Sequence, residues 1–138
     1  MQVRIYCALP EEAISIRKKV FMEEQGFRDE FDDIDKIADH IVLYEAGVPA
    51  ATCRVYWNKQ KQVHVVGRIA VLKQYRRKAL GAALLHEAEK QVKKQNGTAL
   101  YLAAQVRAKG FYEKSGYAAV GEEFLEEYCP HVWMCKQL

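Results

Sequence analysis

The stretch from Val65 to Leu85, VVGRIAVLKQYRRKALGAALL, does most to limit what this chain can fold into. Val65, Val66, Ile69 and Val71 are β-branched and mark a strand, interrupted by Gly67. Lys73 to Lys78 follows as a short basic loop without Gly or Pro. Beyond it Leu80, Leu84, Ala88 and Val92 recur at helical spacing, so a helix begins where the loop ends. The first backbone N–H groups of that helix have no partner inside it, and its dipole places partial positive charge at the same end. With Arg76, Arg77 and Lys78 beside them, these groups are a physical recipe for holding a phosphate.

The flanking chain supplies a sheet for this unit. Val3-Arg4-Ile5-Tyr6 alternates as a short strand, and Pro10, Glu11 and Glu12 suit a helix start. Ala13, Ile16, Val20, Phe21 and Glu24 then fall on one helical stripe. Glu24 is either a helix-end group in solvent or a carboxylate lining an amine pocket. Gly26 to Asp39 is acidic, with Phe27, Phe31, Ile34 and Ile37 interleaved. It reads as a second short helix or an ordered loop, with most of its charges solvated and able to attract a cationic substrate. His40 to Glu45 and Ala50 to Trp57 are strands joined through Ala46-Gly47, and Asn58 to Gln62 turns the chain into the strand Val63–Leu72. The helix after the basic loop ends near Asn96-Gly97, a pair suited to a left-handed cap. Ala99 to Ala104 is a buried strand, parallel to Val63–Leu72 because a helix connects them. Val106 to Ser115 is a short helix closed by Gly116, and strands near Tyr117–Phe124 and Val132–Gln137 finish the chain. The expected fold is α/β (α+β): one domain over residues 1–138, a mixed, twisted sheet of about six or seven strands with helices on both faces.

Two motifs carry a family resemblance. Arg76-Arg77-Lys78-Ala79-Leu80-Gly81 resembles the acyl-CoA signature of the GNAT superfamily of N-acetyltransferases, Gln/Arg-x-x-Gly-x-Gly/Ala, with Ala79 where the family usually has its first Gly. Ala is small enough there for a pyrophosphate to approach, provided its φ is negative, as expected at a helix start. Phe111-Tyr112-Glu113-Lys114-Ser115-Gly116-Tyr117 resembles the Phe-Tyr-x-x-x-Gly-Phe/Tyr of the same proteins, in the same order along the chain. Val20 to Gln25, the acidic stretch ending at His40, and Pro130-His131 with Met134 are similar to a small, poorly characterised bacterial branch of the superfamily.

The resemblance implies a GNAT-like sheet and transfer of an acetyl group from acetyl-CoA to a primary amine, small molecule or peptide, by direct attack in a ternary complex. It implies a splay between Val63–Leu72 and Ala99–Ala104 that admits the pantetheine arm along Ile69, Ala70 and Val71, whose N–H groups polarise the thioester carbonyl. The pyrophosphate would lie over Arg76, Arg77, Lys78, Ala79, Leu80, Gly81 and Ala82, with Phe111 alongside. Tyr112 would protonate the departing thiolate, since a phenol is protonated at neutral pH; without the resemblance it reads as a packed aromatic with a wet hydroxyl. The general base stays open among Glu24, Glu127 and His131. An imidazole suits the task, yet a structural histidine fits His131 equally well. The acidic groups could instead bind a cationic substrate while water carries the proton away. Cys129 raises a covalent, ping-pong alternative.

Composition narrows the remaining classes. A net charge of +3 is too small to argue for nucleic acid. No apolar run approaches the roughly 20 residues of a membrane span, and the start, MQVRIYCALPEE, lacks a signal-peptide pattern. Cys7, Cys53, Cys129 and Cys135 show no metal spacing and read as reduced thiols in a cytoplasmic protein. No metal is expected. Two other classes stay open: an acyl-CoA-binding sensor or regulatory module without turnover, and an interaction domain whose basic loop meets an acidic partner. A homodimer is a further open alternative.

Overall fold

The structure, a computed structural model, describes residues 1–138. Eight strands form one mixed sheet in the order β1-β2-β3-β4-β5-β8-β6, with β7 also paired to β8. β1 (Gln2–Tyr6), β2 (Asp39–Glu45), β3 (Val48–Asn58) and β4 (Val63–Val71) make the expected antiparallel run. β5 (Ala99–Gln105) lies parallel to β4 across helix α2 (Leu80–Lys94), and β8 (Cys129–Gln137) pairs antiparallel to β5. The expected strand Tyr117–Phe124 is instead two pieces, β6 (Ala118–Ala119) and β7 (Phe124–Glu126). A positive-φ glycine, Gly121, turns the chain between them. That division is why eight strands form rather than six or seven.

The pleat sends alternate residues of β2 to opposite helices. Ile41 and Leu43 pack with Leu80, Leu84, Leu85, Ala88 and Val92 of α2. Val42 and Tyr44 pack with Ala13, Ile16, Val20 and Phe21 on the other face. That second helix begins as α1 (Glu11–Arg17) and widens into a π-helical segment, Lys18–Glu24. The expected helix Val106–Ser115 is a 3₁₀ turn, Val106–Ala108, leading into α3 (Lys109–Lys114).

The acidic segment is the expected ordered loop, with Asp29, Asp32 and Asp33 exposed, but not all of its charges are solvated. Its only regular piece is a 3₁₀ turn, Asp33–Lys36, held by a reciprocal Asp32–Asp35 cap. Far from being solvated, Glu30 and Asp35 are buried beside Arg17 and Arg54. Arg17 Nε donates to Glu30 at 2.8 Å and its Nη1 to Asp35 at 2.7 Å. Arg54 bonds Asp32 and Asp35, and Arg68 bonds Glu30. Three guanidiniums thus meet three carboxylates; Arg17, Arg54, Glu30 and Asp35, too costly to bury singly, are buried together, with Arg68 and Asp32 at the rim.

Candidate active site

β4 and β5 are paired only at His64↔Leu100 and Val65↔Tyr101. Beyond that point the strands diverge, leaving the β5-facing edge of Gly67–Val71 without a ladder partner. The wedge opens at the carboxyl ends of both parallel strands, where open α/β sheets take ligands. On its other edge β4 carries a bulge: Thr52 faces Ala70 and Arg54 faces Gly67, so Cys53 opposes both Arg68 and Ile69. Arg68 takes φ of 51°, and a bulge of this kind frees a ladder group from its strand partner. The wedge continues into a cavity of about 770 Å³.

At the outer end of the wedge the chain leaves β4 through a 3₁₀ turn, Lys73–Tyr75, and enters α2 at Leu80. Ala79 there has φ of 59° and Arg77 φ of 65°, which corrects the expectation of a negative φ at Ala79. Left-handed residues alternating with right-handed ones can bring successive N–H groups together, as in anion-binding nests. The family's glycine makes that turn without strain, whereas Ala79 makes it at a steric cost. No side chain caps α2, so the N–H groups of Leu80, Gly81 and Ala82 stay available. A Cβ on Gly81 would lie 3.0 Å from Phe111 Cζ, so Phe111 rests directly on the helix start.

Tyr112 follows on α3 and reaches the cavity, with its ring edge-on to Phe111 at 5.0 Å. Burial, and then the neighbouring Cys53 thiol, push its phenol up to about 12. The hydroxyl is therefore a proton donor at any ordinary pH.

Glu24 and His131 line the same cavity, in different states. Both oxygens of Glu24 are taken by Arg76 at 2.9 Å, while Arg76 Nε donates to the Val71 carbonyl at 3.0 Å. His131 is buried, stacked on Phe124 at 5.9 Å and edge-on to Phe27 at 6.5 Å. Its Nδ1 lies 2.9 Å from the Cys129 carbonyl and its Nε2 3.5 Å from Glu126. Glu127 accepts the backbone N–H groups of Arg28 and Asp29 at 3.1–3.2 Å, so its oxygens are occupied. Cys129 is buried outside the cavity lining, its thiol 3.8 Å from the Pro130 carbonyl.

The structure thus gathers Glu24, Ile69, Arg76, Tyr112 and His131 around one cavity. Arg77 to Ala82 and Phe111 lie beyond Arg76 at the start of α2, outside the cavity lining. The Ala70 side chain points away, into the core beneath α1. Sequence reasoning missed Glu126 and the guanidiniums of Arg54 and Arg68. Glu126 is two residues beyond Phe124, which faces His131 across the β7–β8 pair, a pairing that the expected single strand Tyr117–Phe124 hides. No group of three or more His, Cys, Asp or Glu side chains is arranged to hold a metal ion, and no helix is long and apolar enough to cross a membrane.

Residues 8–138 match the family described as "Acetyltransferase (GNAT) domain". The chain belongs to the GNAT acetyltransferases. A candidate acetyltransferase of Bacillus subtilis, BSU40680, is 42% identical over 136 residues, covering 91% of this chain and 87% of its own. The crystal structure of a candidate N-acetyltransferase from Lactobacillus plantarum superposes with a TM-score of 0.89 at 29% identity, covering 99% of this chain and 97% of its own. A candidate streptothricin acetyltransferase from Bacillus anthracis, solved in complex with acetyl coenzyme A, shares the fold with a TM-score of 0.65 at 20% identity, over 73% of this chain and 62% of its own. As a GNAT protein this chain is an acetyl-CoA-dependent acyltransferase.

Proposed function

We propose that this GNAT protein acetylates a primary amine by direct attack on acetyl-CoA in a ternary complex. The observation that carries the reading is the wedge between β4 and β5, with Tyr112 and His131 on its cavity and the uncapped start of α2 just beyond Arg76. The free edge of Gly67–Val71 offers strand-like hydrogen bonds to the pantetheine arm. The N–H groups of Arg77 to Ala82 take the pyrophosphate, helped by Arg77 and Lys78. The bulge at Arg68–Ile69 supplies a backbone donor for the thioester oxygen.

The amine enters from the acidic side. Asp29, Glu126 and Glu127 line that end of the cavity, and none of them is paired with an Arg or Lys. His131 takes a proton from the ammonium, and the amine nitrogen attacks the thioester carbon. The carbon–sulfur bond breaks as Tyr112 gives its proton to the sulfur. With both oxygens held by Arg76, Glu24 acts by fixing the loop and not as the base. Cys129, buried away from the cavity and without a basic partner, gives a covalent route no support.

Thiol release from acetyl-CoA across a panel of small amines and amino-terminal peptides tests this function. Turnover of at least one amine is expected, abolished in Gly81→Asp, which sets an anion where the pyrophosphate belongs. Acetyl-CoA binding by calorimetry without thiol release for any amine would overturn the enzyme reading and make the domain an acyl-CoA-binding module.

A further inference from the structure

We propose that Glu126 is the group through which the substrate's proton leaves the site, acting behind His131; the inference rests on the reading of His131 as the base. His131 Nδ1 lies 2.9 Å from the Cys129 carbonyl oxygen. A carbonyl only accepts, so Nδ1 carries the hydrogen in that bond and the lone pair of the neutral ring sits on Nε2. Nε2 lies 3.5 Å from Glu126 Oε2, and both residues line the cavity. The ring is closed in by Phe27 and Phe124, so a proton taken by Nε2 makes an imidazolium among aromatic faces. Such a buried charge is costly without a counter-ion. Glu126 supplies one, and it is the opposite of His131 in exposure: 47% of its side-chain surface is accessible against 6%. It therefore joins an enclosed base to solvent.

The hairpin fixes this relation. Phe124 pairs with His131 across β7–β8, and Glu126, two residues on, rises on the same face as the diagonal neighbour. Glu127 at the turn takes φ of 52° and accepts hydrogen bonds from the N–H groups of Arg28 and Asp29, which tie the hairpin tip to that loop. Other charged groups lining the cavity include Asp29, Glu127 and Arg107, and Asp32, Arg54 and Arg68 share the neighbourhood of Tyr56 with Glu126.

The protons balance. The ammonium gives one proton to Nε2, which passes it to Glu126 Oε2 and so to water. The nitrogen's second proton leaves as the adduct collapses and, carried by water, restores the one Tyr112 gives the sulfur, so the phenol ends the cycle protonated. One proton is released per acetyl group transferred. Glu126 is a positioning and relay residue; His131 is the catalytic one.

Two measurements decide it. ¹⁵N spectra of the histidine rings in the intact protein, with His131 assigned from His131→Gln, should show the neutral ring protonated on Nδ1; protonation on Nε2 would overturn the proposal. On the amine most rapidly acetylated in the panel, Glu126→Gln should lower kcat about 10-fold or more, less than the 10²–10⁴ of a general base itself. KM for acetyl-CoA should not move, and in Glu126→Ala, which vacates the carboxylate's place, added formate should restore much of the rate. A loss that formate does not restore, or no loss, overturns the relay while leaving His131 as base. Unchanged kcat in His131→Gln would instead refute the base assignment from which the relay follows.

Discussion

Replacing Tyr112 by Phe removes one oxygen and keeps the ring. The ring packs against the core and meets Phe111 and Tyr117 edge-on at 5.0 and 6.4 Å, contacts a phenylalanine repeats. The lost hydroxyl faces the cavity and breaks no buried hydrogen bond, so stability should change by less than about 0.5 kcal/mol. If the hydroxyl protonates the leaving thiolate, its loss removes general acid catalysis, about 10²–10⁴ in rate. At 1.36 kcal/mol per decade that is about 2.7–5.4 kcal/mol of barrier. The loss should fall on kcat, with the dissociation constant for CoA held within about two-fold. The pH dependence sharpens the test. Burial pushes the phenol up to about 12, so the donor stays protonated throughout the assay range. Wild-type kcat should show no alkaline decline traceable to Tyr112 below that value. Steady-state thiol release and calorimetry with CoA measure both quantities. An unchanged kcat, or a loss matched by lost CoA affinity or lower melting temperature, would refute the proton-donor role.

Asp35→Asn should cost about 3 kcal/mol in urea unfolding, because Arg17 and Arg54 lose their shared carboxylate in a buried network. Hydrogen bonds from these guanidiniums hold the Asp35 carboxyl down at about 2 against burial, so its stabilisation should be complete above pH 3.8 and fall away between there and about pH 2. Glu30, raised by burial, works in the opposite sense on acidification. Ala79→Gly should raise the melting temperature by about 3 °C and keep acetyl-CoA binding, since glycine adopts φ of 59° without strain; a lower melting temperature would mean the left-handed turn is not strained. Glu24→Gln should weaken CoA binding more than it lowers kcat, through the loosened Arg76; a kcat loss of 10²-fold or more with CoA affinity intact would restore Glu24 as a base.

The architecture was legible because the periods are clean. Val65–Leu85 reads as strand, loop and helix by spacing alone, and a helix joining two strands dictates their parallel pairing. Three features were not legible, each for a physical reason. The acids between Gly26 and Asp39 look solvated because their partners lie far off in sequence: Arg17 in α1, Arg54 in β3 and Arg68 in β4. The left-handed turn at Ala79 is hidden because local propensity forbids it and only the geometry demanded by the loop enforces it. Glu126 was invisible as a site residue because Tyr117–Phe124 read as one unbroken strand. Only the break into β6 and β7 makes the hairpin that brings Glu126 to His131.

The short β4–β5 ladder has a mechanical meaning. Two residue pairs, His64↔Leu100 and Val65↔Tyr101, are all the strand pairing that joins β1–β4 to β5, β8, β6 and β7. The sheet is thus a pair of plates on a narrow hinge, with α2 packed across the seam. A cosubstrate that lies along Gly67–Val71 acts as a splint between the plates. Amide exchange should then be non-uniform along one strand: slow at Val65 and Val66, fast at the unpaired edge beyond Gly67, and slowed throughout once acetyl-CoA bridges the gap.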